Sequence, residues 1–126
     1  GASGYFPLPG TTYEPPALGY LHANCGHCHN ATSQVISNTP LKLRLSVTSL
    51  GSLAATPTYM TAVNQTGDPL GTPPRTQIVS PGLPDESILI YRFQSDNPAE
   101  HMPALGTEVM DPTGRTTLRD WITNIP

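Results

Sequence analysis

Two thiols and an imidazole fall within five residues at Cys25-Gly26-His27-Cys28-His29. A cysteine, two spacer residues, a second cysteine and a directly following histidine form the pattern that attaches haem covalently. Each thiol adds to one vinyl group of the macrocycle and becomes a thioether. A two-residue gap on a helical turn sets both sulfurs along one edge of the porphyrin, and the adjacent imidazole meets the iron from one side. Other chemistries fit the residues less well. A disulfide between Cys25 and Cys28 would close a very short loop and staple nothing distant. Redox dithiols of this spacing follow a strand in a βαβ unit, whereas this pair ends a helical stretch. A zinc site would need Cys25, Cys28 and two of His22, His27, His29 and His101. Zinc usually takes well-separated ligand pairs, and the chain has no second CxxC and no HxxxH.

An iron held by His29 has a second axial position. Methionine there gives a six-coordinate iron of raised potential, suited to electron transfer. Met102, followed by proline in a short loop ahead of the last helix, is the preferred ligand, with His101 as its rival. Met60 and Met110 read as core filler. His22 and His27 read as helix or surface residues. Trp121 reads as plain core, with Tyr20 near it or near the haem. Lys42, Arg44, Arg75 and Arg92 could pair with haem propionates, but such residues are more often solvated charges.

The elements that must carry these groups are modest. Pro15-Pro16 can open a helix, because proline's missing N–H would lack a partner in the first turn anyway. The run from Ala17 to about Asn24 then puts Ala17, Leu18 and Leu21 on one face, with Gly19 permitting close approach of another backbone. Leu41-Lys42-Leu43-Arg44-Leu45-Ser46-Val47 alternates apolar and polar, which predicts a half-buried strand. Thr76-Gln77-Ile78-Val79 is a second strand candidate, so a small antiparallel ribbon is expected within 41–80, with one helical turn near 58–63. Pro81-Gly82-Leu83-Pro84 predicts a turn, and Asp85-Glu86-Ser87 leads into Ile88 to Phe93 as a helix with acids in its first turn. Asp111 and Pro112 cap and open the last helix, whose Leu118, Trp121, Ile122 and Ile125 share a face.

Totals narrow the function classes. The 126 residues fit one domain, taken as 15–126 behind an irregular, linker-like 1–14. Only 12% are charged, against about 25% in ordinary proteins, while 15 prolines and 11 glycines promise much irregular backbone. Six Lys and Arg with a net charge of −3 argue against phosphate-backbone binding, so no nucleic-acid partner is expected. No apolar run approaches the roughly 20 residues of a membrane span. The start, Gly1-Ala2-Ser3-Gly4, carries no visible signal peptide, as after signal removal or in a domain from a longer chain.

An N-terminal helix running into Cys25-Gly26-His27-Cys28-His29, a later Met102-Pro103 and a closing amphipathic helix resemble a class I cytochrome c over roughly residues 16–126. More narrowly, Leu41-Lys42-Leu43-Arg44, the stretch Ile78 to Ser87, Met102-Pro103-Ala104-Leu105-Gly106-Thr107 and Arg119-Asp120-Trp121-Ile122 resemble mono-haem domains at the ends of large secreted bacterial proteins. The resemblance implies a mainly α, cytochrome c-like fold around one covalent haem c, with His29 and Met102 axial. It also implies packing of Ala17, Leu18 and Leu21 against Leu118, Trp121 and Ile122. The insertion at 41–80, with its strand signals, departs from simple small cytochromes. The implied function is single-electron transfer to a redox partner protein, not catalysis, in the bacterial periplasm or outside the cell. Alternatives are the electron-accepting domain of a larger dehydrogenase, such as a quinoprotein, and a gas-binding or peroxidatic haem should Met102 not be a ligand.

Overall fold

The computed structural model describes residues 8–32, 40–46, 48, 50–97, 99–102 and 111–126. Expectations placed on residues 1–7, Val47, Met110 and the loop 103–107 lie outside the described residues. The chain forms two compact units, Gly1–Thr61 and Ala62–Pro126. The described residues hold four α-helices and one two-stranded antiparallel sheet, so the architecture is mainly α.

In the first unit, α1 spans Glu14–Cys25, with the two prolines in its first turn and Glu14 beside its N-terminal amides. Glu14 Oε1 accepts a hydrogen bond from Thr11 N at 2.9 Å, which fixes the entry of the chain. Ala17, Leu18 and Leu21 are fully buried, as their spacing predicts. The helix closes where Gly26 N donates to Leu21 O at 3.0 Å and His22 O at 3.2 Å. A short α2, Pro57–Thr61, stands close to the expected helical turn and buries Thr58. Met60 does not serve as core filler. On this five-residue helix it faces outward and is 64% exposed.

The stretch 41–46 is a correction. It has no regular secondary structure and pairs with no strand among the described residues. Its burial does alternate, with Leu43 fully buried and Arg44 exposed. Its backbone groups instead go to irregular partners. Leu43 N donates to His29 O at 2.8 Å, Lys42 N to Thr61 Oγ1 at 2.9 Å and Leu45 N to His22 Nδ1 at 2.9 Å. Period two reports extended backbone with one buried face. It carries no information about which groups satisfy the N–H and C=O groups, and here they strap the chain onto the end of α1.

The ribbon lies within 41–80 but is built from later residues. In the second unit β1, Thr66–Leu70, pairs antiparallel with β2, Arg75–Gln77, through Thr66 with Gln77 and Leu70 with Arg75. A two-stranded sheet has only edges, so Pro69 costs no ladder bond that matters. Beyond β2, Ile78 and Val79 are buried, and Leu89 N donates to Ile78 O at 3.0 Å. The turn at Pro81-Gly82 closes with Leu83 N to Ser80 O at 3.0 Å, and Gly82 has φ of 76°. Such a turn needs the left-handed region at its third position, which glycine enters without strain. Gly82 N also donates to Ile122 O at 2.8 Å, tying the turn to the last helix.

A 3₁₀ turn, Pro84–Glu86, then leads into α3, Ile88–Gln94. Asp85 and Glu86 occupy that turn, not the helix itself. Ser87 is fully buried between them: its hydroxyl accepts from Ser80 N at 2.9 Å and donates to Leu83 O at 3.0 Å. The closing α4, Pro112–Thr123, is capped as predicted, with Asp111 Oδ1 accepting from Thr113 N at 3.1 Å. Leu118, Trp121 and Ile122 are fully buried on α4, and Ile125 just beyond it is buried too. Arg119 Nη1 meets Asp85 Oδ1 at 2.7 Å and holds that carboxyl below its usual range, though both groups are too exposed for the pair to matter much to stability.

Candidate functional site

The site begins where α1 runs out. Cys25 is the last residue of the helix. Cys28 N and His29 N both donate to Cys25 O, at 3.1 and 2.8 Å, so the motif continues one more helical turn past the end. Both cysteines are free thiols, Cys25 half-buried and Cys28 exposed. The His29 side chain is half-buried with its Nδ1 shielded from solvent. Cys25, Cys28 and His29 are therefore gathered on a single turn.

This turn has no room for a side chain at Gly26. An added Cβ would lie 2.7 Å from His22 O and 2.9 Å from Arg44 Cα. The strap 41–46 presses on the motif at that point. The close approach predicted for Gly19 occurs here instead; among the described residues a Cβ at Gly19 would meet only Leu8 Cδ1, at an ordinary 3.6 Å. Asn30 closes the turn from the other side. It is 7% exposed, and its Nδ2 donates to Gly26 O at 2.8 Å and to His27 O at 3.0 Å. Its Oδ1 accepts from Thr32 N at 3.0 Å. Asn30 was not singled out from sequence as part of the site, and His22 was weighed there only as a zinc ligand. A short amide side chain after a tight turn is the signal that could have found Asn30, since such residues bond nearby backbone.

Asn30→Ala is expected to destabilise the chain by about 1–3 kcal/mol, because two turn carbonyls lose a buried donor. Asn30→Asp keeps the bond to Thr32 but also loses the donors, so it should fall with Ala. Denaturant midpoints of the three proteins check this, with the slope unchanged.

Electrostatics disfavour a redox dithiol. Burial, and then the neighbouring Cys28, push the Cys25 thiol up from 9.0 to about 11. Reactive dithiols instead sit where helix N-termini or cations stabilise a thiolate. Here the helix presents its carbonyl end. His22 Nδ1, taken by Leu45 N, is engaged in structure, in line with its reading as a helix residue. Among the described residues no three His, Cys, Asp or Glu side chains group closely enough to hold a metal ion.

Met102 and His101 belong to the second unit. Their loop folds back on the end of α3: Met102 N donates to Arg92 O at 3.0 Å, and His101 N and Glu100 N both donate to Asn97 O at 2.9 Å. Arg92 Nη1 reaches Glu100 O at 3.2 Å, and Tyr91 Oη donates to Glu100 Oε1 at 3.2 Å. Both Met102 and His101 are half-buried. Arg92 is thus occupied in holding this loop. Arg75 is occupied too, with Nε on Asp85 O at 2.7 Å and its guanidinium 4.7 Å from the Tyr91 ring centre.

The chain matches no known protein family, no curated protein and no solved structure.

Proposed function

We propose that this chain is a single-electron carrier that holds one covalent haem c through Cys25 and Cys28, with His29 and Met102 as axial ligands. The observation that carries the reading is the CxxCH turn: two free thiols one helical turn apart, directly followed by a histidine, at the end of α1. The donor set fits the group, since thioether formation consumes two thiols and histidine with methionine is a ligand pair of electron-transfer iron. When bound, the haem supplies a one-electron couple. The chain's own residues hold the turn: Asn30 ties its carbonyls, Gly26 lets the strap approach, and His22 anchors the strap at Leu45. The loop of Met102 is tied to α3 through Arg92. Covalent attachment belongs to exported proteins, so the proposed location is the bacterial periplasm or exterior, with a redox protein or a fused dehydrogenase domain as partner.

The test is the optical spectrum of protein made in an export-competent host, oxidised and then reduced. A c-type spectrum with the weak far-red band of methionine ligation supports the reading. Haem without that band moves the sixth ligand to His101 or leaves it open to gases and peroxide. No haem at all overturns the proposal. Met102→Ala is expected to abolish the far-red band, open the iron to carbon monoxide and lower the potential by on the order of 0.1–0.2 V, a fraction of the roughly 0.8 V that axial ligands span. An unchanged potential and spectrum would sink the assignment of Met102.

A further inference from the structure

Two side chains able to ligate iron stand next to each other at His101 and Met102. Ligand chemistry alone does not favour the methionine. Imidazole suits iron, whereas a thioether is a softer ligand. The Cα atoms of such neighbours are only about 3.8 Å apart. A slip of the loop by one position would therefore offer the imidazole where the thioether had been. Something in the chain has to hold the register.

The second unit supplies that hold at Arg92, in the last turn of α3. Carbonyls of a last helical turn have no partner within the helix. Arg92 O takes Met102 N at 3.0 Å. The guanidinium of the same residue, through Nη1, donates to Glu100 O at 3.2 Å. One residue thus grips the chain on both sides of His101. The Glu100 side chain is held as well, its Oε1 accepting from Tyr91 Oη at 3.2 Å and from Ser95 Oγ at 3.4 Å. The Tyr91 ring is itself steadied by the Arg75 guanidinium at 4.7 Å, and Arg75 Nε is fixed on Asp85 O at 2.7 Å. Arg92, Glu100 and Met102 are all half-buried, where water competes less for these bonds. A one-residue slip would break both bonds of Arg92 together.

We propose that Arg92 is a positioning residue that keeps this loop in the register offering Met102, not His101, as the sixth ligand. The inference rests on the electron-transfer reading and adds to it what decides between the two donors. Arg92 acts through the loop and is not itself a ligand.

The test compares the parent, Arg92→Gln and Arg92→Gln/His101→Ala, each made in an export-competent host. Arg92→Gln keeps the backbone carbonyl but draws the side chain back from Glu100 O. It is expected to lose roughly half or more of the far-red band as molecules ligated by His101 become populated, with a lowered potential. Its Met102 amide proton should exchange about tenfold faster than the parent's. The double variant leaves the grip broken and removes the rival imidazole. It is expected to regain most of the band and the potential while keeping the fast exchange. An Arg92→Gln protein with the parent's band overturns the proposal. So does a band that is lost and stays lost in the double variant, since a merely structural role would not be rescued or worsened by the choice of residue at 101. A parent that shows no far-red band fails before any substitution, and there the assignment of Met102 falls together with the role of Arg92.

Discussion

Cys25→Ala/Cys28→Ala is expected to turn a covalent pigment into an extractable one. From the parent protein, acidified organic solvent should remove no haem and leave the colour on the denatured chain. From the double variant it should remove all of it, because the proposed His29 ligation would hold iron only while the fold stands. Each single variant keeps one thioether and stays coloured, with a shifted absorption maximum from the unreacted vinyl group. The contrast is all-or-none and does not depend on subtle energetics. Neither substitution empties the core. Cys28 is exposed and Cys25 half-buried, so the loss of one small sulfur costs about 1 kcal/mol at Cys25 and less at Cys28. If pigment leaves the parent as easily as the double variant, the thioether assignment is wrong.

The second large effect concerns stability. Trp121 is fully buried on α4, beside Leu118 and Ile122 on the same face. Trp121→Ala is expected to cost about 3–5 kcal/mol, from lost transfer energy and the cavity left behind. Domains of this size are stable by about 5–15 kcal/mol, so the variant should stand near the edge of folding. Thermal melts should fall by on the order of 10–20 °C. Trp121→Phe keeps most of the apolar surface and should fall between the two. An alanine variant that melts within a few degrees of the parent would mean that the site repacks, contrary to a closely packed interior.

Helices with their own punctuation were legible in the sequence. Asp111-Pro112 announced α4, and Pro15-Pro16 announced α1, because capping and first-turn chemistry depend on neighbours in sequence. The turn at Cys25–His29 was legible for the same reason: its backbone bonds close within five residues. What could not be read was where extended backbone finds its partners. Leu41 to Ser46 has the alternation of a strand, yet its N–H groups go to Thr61, His29 and His22, up to 23 positions away. Thr66–Leu70, with Gly67 and Pro69, has poor strand propensity and still pairs, because the ribbon is set by the turn at 71–74 and by Ile78 and Ile88 packed around Gly67. Asn30 was passed over as one of several polar loop residues. Its value comes from two carbonyls that only the folded turn brings to its amide.

The grip of the strap on the motif is made almost wholly of irregular backbone. Leu43 on His29, Leu45 on His22 and Asn30 on Gly26 are single hydrogen bonds, none of them a rung in a helix or sheet ladder. Far-ultraviolet circular dichroism, which reads repeating peptide geometry, will therefore scarcely register their rupture. The strap could peel from the motif while every helix keeps its signal. Amide exchange at Leu43 and Leu45 is the observable that sees the event, since those two protons are guarded by the contact itself. A preparation judged native by helicity alone can thus hold its helices and have lost its grip on the site.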